Sequence, residues 1–225
     1  MTIHSVSFPA LATRADKSDK RDAILRAAID TFAARGFFNA QVADVARTAG
    51  VAAGTVYLYF RGKDDLLISI FDRTMKEAIA AGRQSVEAQR DPVERLREIA
   101  RLHLGRMGHD RALAVVFQVE LRQSTKFMER FSATHLRQYL GIIRDVIADG
   151  QARGAFRAGI NPTLAAKLFF GALDEMATNW ILSQRRYSLA AEADAIVDLF
   201  VDGVGAPRPP RRAAPKKARP GERRK

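Results

Sequence analysis

Three hydroxyl side chains and a cation stand close together in the chain: Thr55, Tyr57, Tyr59 and Lys63. On a short helix that opens near Ala53, the hydroxyls project from the exposed side, within reach of phosphate oxygens or base edges once such a helix enters a major groove. Lys63 falls in the first turn of the next helical pattern, where its ammonium and the free amides of the helix N-terminus form an anion site. Tyr59, flanked by apolar residues, has a second reading as a half-buried core residue. Catalytic groupings are missing. The chain has no cysteine, its four histidines (His4, His103, His109, His135) lack metal-ligand spacing, and it carries no Ser-His-Asp set or Gly-rich phosphate signature. The expected chemistry is recognition, with no enzyme activity, no cofactor and no metal.

These side chains need elements to hold them. From Ser18, an expected N-cap, the residues Ile24, Leu25, Ala28, Ile29 and Phe32 form one apolar stripe on a helix that Gly36 ends. Two short patterns, 42–49 and 53–59, flank Gly50-Val51-Ala52, and a glycine-containing joint between helices this short has the form of a helix-turn-helix. Ala40 and Gln41 precede the first of them, with Asn39 as its expected cap. The pattern 63–89 buries Leu66, Leu67, Ile70, Phe71, Met75 and Ile79 and spans roughly 40 Å, enough to join two domains. Asp91-Pro92 and Asn161-Pro162 each restart the chain as cap and first helical residue. The patterns 92–107, 111–123, 126–153, 162–184 and 189–204 are helical, with expected breaks at Gly108, Ser124, Gly154 and Gly159. The expectation is an all-α chain of about nine helices: a flexible basic arm over 1–17, a DNA-binding three-helix unit over 18–62, a helical ligand-binding and dimerisation body over 63–205 and a disordered tail over 206–225.

The charge of +12 points to a polyanionic partner, but it is unevenly spread. Residues 206–225 hold nine basic residues against Glu222 alone, together with five of the eight prolines, so the tail carries +8 and the other 205 residues +4. Such a block reads as a solubilising appendage or as a source of non-specific DNA affinity. In the arm and just after it, Arg14, Lys17, Lys20 and Arg21 are candidates for phosphate or minor-groove contact. The absence of cysteine fits a reducing cytoplasm. The apolar run 6–12 is too short for a signal sequence, and no run approaches the roughly 20 apolar residues that cross a bilayer.

The run Ala49-Gly50-Val51-Ala52-Ala53-Gly54-Thr55-Val56-Tyr57-Leu58-Tyr59-Phe60-Arg61-Gly62-Lys63-Asp64-Asp65-Leu66, within 36–67, closely resembles the DNA-binding domain of the tetracycline-repressor (TetR) family. The resemblance implies that Thr55, the tyrosines and Lys63 touch an operator. The family usually starts the preceding helix with hydroxyl residues that cap it and meet phosphate; here Ala40 and Gln41 occupy those slots, and Gln41, with Lys20 and Arg21 from the basic stretch, is a further candidate contact. Ala52, Ala53 and Gly54 fill slots that hold Ser, Arg or Lys in relatives, so the recognition helix has few hydrogen-bonding groups. Ala53 is expected to meet a thymine methyl, with DNA shape and phosphate contacts supplying the remaining discrimination.

The body resembles the TetR-type regulators of fatty-acid degradation through Phe117-Gln118-Val119-Glu120-Leu121-Arg122-Gln123-Ser124, Phe131-Ser132, Tyr139-Leu140 and Gly171-Ala172-Leu173-Asp174-Glu175-Met176-Ala177-Thr178 with Trp180. That resemblance implies release from DNA by a long-chain acyl-CoA. An acyl chain needs an apolar tunnel and CoA phosphates need cations. The expected ligand contacts are Leu102, His103, Arg106, Phe117, Leu121, Arg122, Phe131 and Trp180, with Arg111 a further cation for the mouth and Glu120 in a structural ion pair. Another hydrophobic effector, such as that of an efflux regulator, is the alternative, as is ligand-independent DNA binding. The last two helices, with Leu164, Leu168, Leu173, Trp180, Ile196, Leu199 and Phe200, are expected to form a homodimer that sets two reading heads on a near-palindromic operator.

Overall fold

The computed structural model describes residues 14–204, with the side chains of 14–16, 131 and 132 left aside. Most of the expected arm and the whole of the expected tail thus lie outside the described residues. Among the described residues all regular structure is helical.

Helix α1 (Arg14–Arg35) begins four residues before Ser18, which is an interior helical residue and not a cap. Ile24, Leu25, Ala28 and Phe32 are buried, as their spacing requires. Gly36, at φ 76°, turns the chain out of the helix. Next comes α2 (Val42–Thr48), whose N-cap is Gln41 and not Asn39. Asp44 accepts the Gln41 N–H at 3.0 Å, while the Asn39 amide donates back to the Arg35 carbonyl at the end of α1. Gly50, at φ 67°, makes the joint to α3 (Ala53–Tyr57), which stops two residues earlier than its pattern suggests. Val45, Val56, Phe60 and Leu66 close the core of this head.

The long α4 (Lys63–Ala88) carries the chain into the body. Asp91 caps α5 (Pro92–His109) by accepting the Val93 N–H at 2.9 Å. Gly108 lies inside α5 and does not break it. A Cβ there would stand 3.1 Å from that of Leu189, so the glycine lets a later turn approach. After α6 (Arg111–Val115) the chain widens into a π turn (Val116–Glu120) and tightens into a 3-10 turn (Leu121–Gln123). The expected single helix over 126–153 is α7 (Thr125–Phe131) and α8 (Arg137–Ala152), joined by a second π turn (Ser132–Leu136). Asn161 caps α9 (Pro162–Leu182) through the Thr163 and Leu164 N–H groups at 2.9 and 3.2 Å, and α10 (Ala193–Val204) follows a 3-10 turn at Leu189–Glu192. Buried residues of head and body form one contiguous apolar cluster.

Candidate DNA-reading surface and ligand cavity

Val56 and Phe60 anchor α3 in the core, which turns Ala53, Gly54 and Tyr57 outward. Ala53 and Tyr57 are one turn apart and share a face. Tyr57 and the neighbouring Leu58 are well exposed, Thr55 is half-buried, and Gln41 is exposed at the start of α2. Tyr59 lies beyond the end of α3 and packs partly against the core, in keeping with its second reading. Lys20 is exposed in α1, and the Arg21 guanidinium lies 5.0 Å from the centre of the Phe60 ring. Lys63 is not a free cation. Its ammonium donates to the Phe38 carbonyl at 2.9 Å and sits 4.7 Å above Phe37, while Asp64 and Asp65 place two carboxylates in the same helical turn. A phosphate at this point competes with an internal tie.

The body holds an open-mouthed cavity of about 110 Å³ between α4, α5, the first π turn, α8 and α9. Six of the eight expected ligand contacts line it: Leu102, His103 and Arg106 from α5, and Phe117, Leu121 and Arg122 from the π turn and its extension. Phe131 has its side chain outside the described residues. Trp180 does not line the cavity. Its indole N–H donates to the Tyr187 carbonyl at 3.1 Å, and Arg111 stacks 5.0 Å from its ring while donating to the Ile181 carbonyl, so both residues lock the end of α9. The α4 wall (Thr74, Met75, Ala78, Ala81 and Gly82) escaped the sequence reading, although its small side chains recur at helical spacing and leave room that larger ones would fill.

Polar groups in the cavity are mostly paired. Arg106 meets Glu77 at 3.0 Å. Arg122 pairs with Asp174 and donates to the Gln118 amide oxygen at 2.8 Å; the Gln118 amide donates to Asp174 at 2.9 Å, and Thr178 donates to Gln118 at 3.1 Å. Two of the cations expected for phosphates, Arg106 and Arg122, are therefore already neutralised by carboxylates. His103 Nδ1 is 3.2 Å from the Tyr139 hydroxyl, and the Phe170 ring meets the imidazole edge-on at 5.8 Å. Burial, partly opposed by Asp174, pushes the His103 pKa down to about 4, so the ring is neutral near pH 7. Burial raises that of Tyr139.

Glu120 connects this cavity to the head. It is buried, and it forms no ion pair among the described residues, contrary to expectation. Its carboxylate accepts the backbone N–H of Phe37 at 2.6 Å and the Gln123 amide at 3.2 Å. Phe127 of α7 packs edge-on against the same Phe37 at 5.4 Å, and Arg26 of α1 pairs with Asp110, whose carboxylate caps α6.

On the outer face of α9 and α10, Leu164, Leu168, Leu182 and Leu199 are more than half exposed. Leu173, expected on the same stripe, is fully buried in the body core.

Residues 24–70 match the profile of bacterial regulatory proteins of the tetR family, and residues 71–203 match that of the YsiA-like protein C-terminal region. The chain belongs to the tetR family. Over 188 residues it is 33% identical to the fatty acid metabolism regulator protein of Bacillus subtilis, covering 84% of this chain and 97% of that one. Solved structures that share the fold of this tetR-family chain include two at about one-third identity. The fatty acid degradation regulator FadR of Bacillus halodurans superposes with a TM-score of 0.78 at 35% identity, covering 82% of this chain and 95% of that chain. FadR of Bacillus subtilis in complex with stearoyl-CoA gives 0.77 at 33% identity, covering 81% and 98%. As a tetR-family member the chain is a transcriptional regulator, and its family and these relatives are regulatory proteins, not enzymes. Among the described residues no helix is long and apolar enough to cross a membrane.

Proposed function

We propose that this tetR-family regulator is a homodimeric repressor of fatty-acid metabolism genes, released from a near-palindromic operator by long-chain acyl-CoA. The observation that carries the reading is one structural unit with two ends: the first π turn lines the apolar cavity with Phe117 and Gln118 and holds the head through Glu120. π turns interrupt helices frequently at functional sites. The relative solved with stearoyl-CoA supports a fatty-acyl thioester as the occupant.

An acyl chain among Phe117, Leu121 and the α4 wall repacks the π turn. Glu120 moves with it, and the Phe37 N–H and the helices that follow are displaced. The rod of α4 carries the same change as a swing of the head, which alters the spacing of the two heads in the dimer. A differential affinity of about 1–3 kcal/mol changes operator binding by roughly 5- to 150-fold. The exposed leucines of α9 and α10 support the dimer face, since two copies burying them against each other remove apolar surface from water.

Operator contact falls to Gln41, Ala53, Thr55 and Tyr57 on the exposed head, with Lys20 and Arg21 from α1. Footprinting on the DNA beside its own gene, with oleoyl-CoA, oleate or CoA added, tests the reading. Protection of a near-palindrome that only the thioester relieves is expected, and protection unaffected by the thioester overturns the proposed effector.

A further inference from the structure

We propose that His103 is the polar contact for the ligand's acyl carbonyl oxygen, so that the cavity distinguishes a thioester both from a chain lacking that carbonyl and from a free fatty acid. The inference rests on the acyl-CoA reading and adds a specificity-determining residue to it. Nε2 of His103 is closed off from solvent, and of the buried side-chain nitrogens and oxygens among the described residues it is the one without a hydrogen-bond partner. Buried polar atoms are nearly always paired, so an unpaired one on the wall of a ligand cavity points to a partner that arrives with the ligand.

The hydrogen-bond arrangement identifies the kind of partner. Among the described residues the Tyr139 hydroxyl has one neighbour within hydrogen-bond distance, His103 Nδ1 at 3.2 Å. A buried phenol hydrogen requires an acceptor, and Nδ1 is the acceptor at hand. Nδ1 then carries no proton, and the tautomer assigned to His103 places it on Nε2, a neutral donor. A neutral N–H suits a neutral acceptor such as a carbonyl. A carboxylate needs a cation, and both guanidiniums on the wall are already paired, Arg106 with Glu77 and Arg122 with Asp174. Desolvating a carboxylate without a free countercharge is costly.

The test is calorimetric titration of the full chain with stearoyl-CoA, its thioether analogue S-octadecyl-CoA, and stearate. Wild type is expected to bind the thioester about tenfold or more tightly than the thioether, the effect of leaving one buried donor unpaired, and to bind stearate more weakly still. His103→Leu removes the preference by weakening only the thioester. Tyr139→Phe, which keeps the ring and releases the tautomer, reduces it, and this variant carries the test if His103→Leu does not fold. Equal wild-type affinity for thioester and thioether, or a preference that survives in His103→Leu, overturns the carbonyl contact while leaving the acyl-CoA reading intact. Failure of wild type to bind either CoA compound overturns both.

Discussion

Glu120 is one of the side chains that tie the head to the body, and the buried one that does so through a backbone N–H. A carboxylate that is 5% exposed tolerates burial because backbone and amide donors solvate it in place of water. Glu120→Ala leaves the Phe37 N–H without its acceptor, so a stability loss of about 1–3 kcal/mol is expected in urea unfolding. Glu120→Gln, which keeps an acceptor, is expected to lose less and to retain more of the effector response. A Glu120→Ala protein as stable and as responsive as wild type rules out the link. His103 gives a pH signature at the same scale. Above pH 6.5 the imidazole is neutral in both the folded and the unfolded chain, so it contributes no pH dependence. Below 6.5 the unfolded chain binds a proton that the folded chain refuses until about pH 4, and stability falls by about 1.4 kcal/mol per pH unit in that window. The wild-type minus His103→Leu difference in unfolding free energy, measured above, within and below the window, isolates this contribution from carboxylates that titrate nearby.

The helices are set by local devices, and the tie between cavity and head lies where one of them is interrupted. Asp91-Pro92 and Asn161-Pro162 start α5 and α9 as cap chemistry requires, with no contribution from distant residues. The first π turn, by contrast, is not announced by any breaker between Val115 and Leu121, and it forms where the chain must serve cavity and head together. Of the glycines among the described residues, Gly150 on α8 has the least room for a side chain: a Cβ would fall 2.3 Å from the buried Phe156 ring. Gly150→Ala is therefore expected to destabilise by about 1–3 kcal/mol, the cost of overpacking a closed core, seen as a lower denaturation midpoint. An unchanged midpoint would mean that Phe156 relocates freely.

At the scale of the whole molecule, a single protomer leaves apolar surface on α9 and α10 uncovered. Leu168, 62% exposed, is a direct probe of the proposed dimer. Leu168→Glu places a charge in that face and is expected to convert a dimer into a monomer in sedimentation, with little change in the helical content of the protomer. Since one head meets one half-site, the monomer is expected to lose operator affinity by far more than the substitution removes from any single contact. Sedimentation of Leu168→Glu as an intact dimer places the interface elsewhere.

By itself the sequence determined the helical class, the capped restarts and the helix-turn-helix from its glycine joint, because spacing along a helix decides which side chains share a face; the six expected contacts that line the cavity came with the resemblance of the body to regulators of fatty-acid degradation, not from spacing. It also identified the run that resembles the tetR family. What only the tertiary structure decided is which groups meet. Glu120 finds the Phe37 N–H 83 residues away, Lys63 turns inward to Phe38, Arg106 and Arg122 are neutralised by acids on other helices, and Trp180 closes the end of α9 away from the cavity. Such pairings carry no local periodic signal. They follow from how close-packed helices cross and from the requirement that each buried polar group find a partner wherever the packing brings one.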